Sequence, residues 1–171
     1  MEKKSFNGRW KSLKANAKFR KYFYTYLRSI LIPVILWFII WWIISSYIDY
    51  DILKSPFLAP PSITFPIVWT ILYILMGISH GILDYHGQMD KKTTVLYYSQ
   101  LLVNALRSIF FFVLKWRLFS FIRIVLLDVL VIWMIIEMYK RNKTAGLLQV
   151  PYIVWTLFAS YLTMGFYLLN N

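Results

Sequence analysis

Five apolar runs divide the chain, over residues 30–48, 63–83, 95–114, 121–139 and 145–169. Each is close to the roughly 20 residues that carry a helix across a bilayer. None alternates polar and apolar positions as the strands of a membrane barrel do. In lipid every backbone N–H and C=O needs an internal partner, so each run is predicted to be helical. Pro33, Pro66 and Pro151 fall near the starts of the first, second and fifth runs, where a missing N–H is tolerated. The connections are short, the longest being 49–62 and then 84–94. Sequential helices are therefore expected to pack as antiparallel neighbours. The predicted fold class is an all-α membrane protein: residues 29–171 form a five-transmembrane-helix bundle, and residues 1–28 a basic N-terminal extension.

Composition agrees with this. Of 171 residues, 60% are hydrophobic, 20% aromatic and only 15% charged, with a mean hydropathy of +0.58. Those values exclude a disordered chain and argue against an ordinary soluble domain. Five spans leave no room for a second catalytic domain. The absence of cysteine excludes disulfides, thiolate metal sites and cysteine nucleophiles.

The net charge of +12 matters through its position. Nine of the 19 Lys and Arg lie in residues 3–28, directly ahead of the first apolar run. That placement argues for a membrane surface rather than nucleic acid as partner. On a helix Phe6, Trp10, Leu13, Ala17 and Tyr24 would share one face, with Lys11, Lys14, Lys18 and Lys21 mostly away from it. This describes either an interfacial helix attracted to anionic lipid or a solvated basic tail that sets topology. No signal-peptide cleavage site follows the apolar stretch. With the N-terminus inside, inner segments hold 14 Lys and Arg and outer segments four. The positive-inside rule then places the N-terminus in the cytoplasm and the 49–62 loop outside, in the cell membrane.

Charges within lipid are costly and mark partners or function. Arg107 and Asp128 lie at matching depths on helices three and four, which predicts an intramembrane ion pair. Gln100, Asn104, Arg107 and Phe111 share one face of helix three. That stripe reads as interhelical hydrogen bonding or as the wall of a ligand cavity, with spacing alone favouring the first for Asn104. Glu137 is expected to pair with Lys140 or Arg141. Gly77 and Gly81 form a small-xxx-small pattern, expected to pack within the monomer. His80 and His86 have no spacing or companions for a metal site. No catalytic relay or phosphate loop is present.

Aromatic residues form the second pattern. Phe65, Trp69 and Tyr73 make one ridge on helix two, and Trp155, Ala159 and Leu162 share a face of helix five. Trp69 and Trp155 lie deeper than an interfacial belt. They read as plain helix packing or as the two sides of a slot for a flat apolar ligand.

The order of these residues resembles the TspO/MBR family, the translocator or tryptophan-rich sensory proteins. The resemblance runs from about Tyr50 to the C-terminus. It rests on Pro60-Pro61 through Phe65-Pro66, Trp69-Thr70 and Tyr73, then on Gln100 and Asn104, Phe110-Phe111-Phe112, Asp128, and Pro151-Tyr152, Trp155 and Phe158-Ala159. It implies a five-helix bundle, often a homodimer, with a pocket beneath the first long loop. It also implies binding of porphyrins such as protoporphyrin IX as ligand, with no required cofactor. Trp69 and Trp155 match the pocket tryptophans, and Tyr73, Asn104 and Ala159 match pocket-lining positions. Spacing and resemblance together give the candidate ligand-binding set Tyr50, Phe65, Trp69, Tyr73, Asn104, Arg107, Phe111, Trp155, Phe158, Ala159 and Leu162. No catalytic residue or metal ligand is assigned.

Several positions depart from the family. Asp49 and Leu58 stand where many relatives carry Trp, Arg107 replaces a frequent Trp, and Thr163 stands where Asn is common. The missing tryptophans weaken the case for tetrapyrrole photochemistry. Arg107 instead offers a partner to a porphyrin propionate. The C-terminal cholesterol-recognition motif of animal members is absent. The leading expectation is a ligand-binding membrane protein for porphyrins or similar flat molecules. The alternatives are light- and oxygen-dependent porphyrin degradation, or transmembrane transport of tetrapyrrole- or sterol-like ligands.

Overall fold

The computed structural model describes residues 2–48 and 52–170, with only the backbone of residues 2–13 and Arg117. The helices are α1 (Glu2–Ile44), α2 (Thr64–Tyr85), α3 (Lys91–Ser108), α4 (Arg117–Arg141), α5 (Lys143–Leu147) and α6 (Val150–Leu169). A π-helical turn, Ile109–Val113, continues α3. Five segments are long and apolar enough to cross a membrane: Lys14–Tyr47, Thr64–Tyr85, Lys91–Val113, Leu118–Arg141 and Lys143–Leu169.

Three boundaries differ from expectation. First, α1 runs unbroken through the 28/29 division, so Pro33 sits inside the helix and not in its first turn. The basic stretch gains support from the end of α2. Tyr22 packs edge-on against Tyr85 with ring centroids 5.4 Å apart, Lys21 lies over the Tyr85 ring, and Arg28 bridges to Asp84 at 2.6 Å. The proposed apolar face through Phe6, Trp10 and Leu13 lies outside the described side chains. Second, the fifth span is two helices. It restarts at Val150, where Pro151 occupies the first turn of α6 and needs no N–H partner. Third, α2 and α3 are not close backbone neighbours. The close approaches join α1 to α2 and α3, α3 to α4, α4 to α6, and α2 to α5. α2 and α3 meet through long side chains instead, as described below.

Glycine sets the α1–α2 contact. A Cβ on Gly77 would collide with Ile30 Cα and stand 2.8 Å from the Ser29 carbonyl oxygen. Beside this crossing, Ser29 Oγ and His80 Nδ1 share a buried hydrogen bond of 2.9 Å. The Gly77/Gly81 pattern thus packs within the monomer, Gly81 against the Tyr26 ring. At the same end of the bundle Glu137 pairs with Lys92 (2.9 Å) and Lys140 (3.3 Å). Arg141 pairs with Asp90, whose side chain also caps α3 by accepting from the Thr93 N–H. At the opposite end the loop over residues 52–62 is tied to the end of α6. Asn170 accepts from the Lys54 N–H and donates to the Lys54 carbonyl. Tyr161 Oη donates to the Phe57 carbonyl at 2.7 Å.

Candidate ligand pocket

Beneath that loop lies a cavity of about 390 Å³, within the range of small-molecule sites. α1 supplies Trp37, Trp41 and Ile44, and α2 supplies Phe65, Pro66 and Trp69. α3 and its π turn supply Arg107, Ser108, Phe111 and Phe112, while α6 supplies Ala159, Leu162, Thr163 and Phe166. The wall is therefore mostly aromatic, with hydroxyls at Ser45, Ser62, Ser108 and Thr163.

The aromatic floor is continuous. Trp37 stacks on Tyr73 with centroids 5.7 Å apart and planes 13° from parallel. Trp69 lies 6.3 Å from Trp37, 6.0 Å from Tyr73 and 6.2 Å from Tyr152. The Trp37 indole N–H donates to Thr70 Oγ1 at 3.1 Å, and Thr70 donates onward to the Pro66 carbonyl. That relay satisfies a buried N–H and fixes the ring facing the cavity.

The polar stripe of α3 divides by depth. Asn104 Nδ2 donates to Tyr73 Oη at 2.9 Å. Tyr152 Oη donates to Gln100 Oε1 at 2.7 Å, and Gln100 Nε2 faces Met76 Sδ. All are buried, and they lock α2, α3 and α6 together below the cavity. Nearer the loop, Arg107 and Phe111 line the cavity itself. The Arg107 guanidinium carbon lies 5.6 Å from the Trp69 ring centroid, a cation–π distance.

Of the expected set, Phe65, Trp69, Arg107, Phe111, Ala159 and Leu162 meet around this cavity. Tyr73 and Asn104 lie beneath it, bonded to each other. Trp155 and Phe158 do not line it. They border a shallow groove between α2 and α6, with Val68, Ile71 and Val154. Phe65 intervenes, edge-on to Trp155 at 5.9 Å while itself lining the cavity. The Trp155 indole N–H is buried without a hydrogen-bond partner. Tyr50 lies outside the described residues.

The expected Arg107–Asp128 pair is not formed directly. Asp128 accepts from Ser160 Oγ at 2.6 Å and borders a second groove, between α4 and α6. Its other carboxylate oxygen has no hydrogen-bond partner. The two charges share a depth but not a direction: Arg107 turns to Trp69, Asp128 to α6.

Sequence reasoning missed Trp37 and Trp41 as cavity residues. Their spacing of four put them on one face, and Trp42, at 78% exposed, points away. The α1 indoles occupy the cavity side where the expected Trp155 was to stand.

The sequence profile of the TspO/MBR family matches residues 29–168. A tryptophan-rich protein TspO of Archaeoglobus fulgidus is 40% identical over 119 residues, covering 69% of this chain and 77% of that protein. The TspO of Chlorobaculum tepidum is 36% identical, covering 71% and 78%. The TspO of Bacillus cereus is 26% identical but spans 89% of this chain and 93% of its own length. Taken with five membrane-crossing helical segments and an aromatic cavity beneath the first long loop, these matches show that the chain is a multi-pass membrane protein belonging to the TspO/MBR family.

Proposed function

We propose that this protein binds a flat, hydrophobic small molecule of the porphyrin class in the cavity between α1, α2, α3 and α6. The observation that carries this reading is the cavity wall, where the indoles of Trp37, Trp41 and Trp69 converge from two helices opposite Phe111 and Phe112. Large flat side chains around an enclosed space favour a ligand that stacks. Relatives bear the names tryptophan-rich sensory protein, in Cereibacter sphaeroides, and translocator protein homolog, in Schizosaccharomyces pombe. Those names fit a protein that receives a small molecule.

The test is titration of the detergent-solubilised protein with protoporphyrin IX, following tryptophan emission. Saturable quenching is expected, with a stoichiometry near one per chain. Linear, non-saturating quenching would refute the reading. A second reading, light- and oxygen-dependent degradation of the bound ring, draws on the same three indoles. Illumination of the complex separates the two: degradation requires porphyrin absorption to fade faster than that of the free ring.

The charge distribution orients the protein with α1's basic end in the cytoplasm, where its lysines meet anionic lipid. Because the chain has no cysteine, single substitutions report topology cleanly. In intact cells Ser55→Cys should react with an impermeant maleimide, and Ala15→Cys only after lysis. The reverse pattern would invert the orientation.

A further inference from the structure

We propose that the cavity selects ligands bearing a carboxylate, and that Arg107 makes the selection. This rests on the ring-binding reading above and adds a requirement to it.

Among the described residues that line the cavity, Arg107 is the one charged side chain, and no acidic residue lines it. Arg107 is 7% exposed, so its charge is held in the wall rather than in solvent. Trp69 lies against one side of the guanidinium, and Ser108 Oγ accepts from its Nη2 at 3.4 Å. The side chain is thereby aimed, not trailing. Helix geometry supports the same site. The π turn Ile109–Val113 begins two residues after Arg107. By widening the helix there it lets Phe111 and Phe112 reach the cavity together with Arg107 and Ser108. Such turns are uncommon and concentrate at functional sites.

Charge decides which ligand suits this wall. A cation in apolar surroundings is costly unless an anion meets it. A planar guanidinium offers two parallel N–H donors, which match a carboxylate. A neutral sterol would cover the charge without compensating it. A cationic amphiphile would be repelled. A flat ring with a pendant carboxylate satisfies both parts of the wall, stacking on the indoles while its acid reaches Arg107.

The test compares protoporphyrin IX with its dimethyl ester, which keeps the ring and removes the charge. The wild-type protein should bind the acid at least about 30-fold more tightly than the ester, the scale of a buried charge pair. In Arg107→Gln the two should bind within about threefold of each other. Arg107→Lys, which keeps the charge but loses the fork, should restore part of the gap. A wild-type gap under threefold, or a gap unchanged in Arg107→Gln, would overturn the proposal while leaving ring binding intact. Failure of both compounds to bind would overturn the ring-binding reading, and this inference with it. Oleate serves as the third arm, since a fatty acid carries the carboxylate without the ring. Displacement of the porphyrin by equimolar oleate would assign the site to an acyl carboxylate and overturn the ring requirement.

Discussion

Gly77→Ala lowers the thermal unfolding midpoint of the protein in detergent by about 5 °C, and Gly77→Val lowers it further. Alanine in a helix interior is ordinarily favoured over glycine by about 1 kcal/mol. Here a steric term opposes it. The added methyl group would overlap Ile30 Cα and press on the Ser29 carbonyl. Both are backbone atoms of α1, so no rotamer change relieves the contact and the helices must separate. Overpacking of this kind costs about 1–3 kcal/mol, enough to reverse the helix gain, and each kcal/mol moves the midpoint of a chain this size by about 2–4 °C. The crossing sits where Pro33, lacking an N–H, leaves the Ser29 carbonyl without its helical donor. Displacing α1 would also draw Trp37 and Trp41 from the cavity. Gly81→Ala provides the contrast. Its methyl group would meet the Tyr26 ring at 3.0 Å, and that half-buried side chain can swing aside. Gly81→Ala should therefore change the midpoint by about 2 °C or less. Equal effects at the two glycines would mean that the backbone approach at Gly77 is not what holds α1 to α2.

How far the sequence disclosed this arrangement depends on which force fixed each feature. Lipid leaves the backbone no option but helix, so all five spans were legible from hydropathy alone. The length of α1 was not, because nothing apolar marks residues 14–28; their helix leans on Tyr85 and Asp84, far away in sequence. Periodicity placed Gln100, Asn104, Arg107 and Phe111 on one face correctly. It could not show that the lower two would bond to Tyr152 and Tyr73 while the upper two bordered open space. Depth put Arg107 level with Asp128, but the direction each faces around its helix is set by neighbours such as Trp69 and Ser160. The same limit governs Trp155. It shares a stripe with Ala159, yet the bulk of Phe65 fills the line between its ring and the cavity.

That division of the tryptophans makes the sharpest functional prediction. Trp69→Leu should weaken protoporphyrin IX binding by about 30-fold or more, and Trp155→Leu by less than threefold. Trp69 is 5% exposed, lines the cavity and bears on Arg107. Losing it removes a stacking face worth about 0.5–1.5 kcal/mol beyond its area. The apolar area itself contributes at about 25 cal/mol per Å². Together these reach the roughly 2 kcal/mol expected of a buried aromatic anchor, which corresponds to about 30-fold in affinity. Trp155 faces the outer groove, so its removal costs packing rather than ligand contact. Porphyrin absorbance should be the readout, because tryptophan emission changes when an indole is deleted. Unfolding midpoints measured alongside separate lost binding from lost structure. Trp69→Phe keeps a ring toward Tyr73 and should fall between wild type and leucine. If Trp155→Leu abolished binding in a folded protein while Trp69→Leu did not, the ligand would have to sit between α2 and α6 on the lipid-facing side, and the cavity under the loop would lose its assignment.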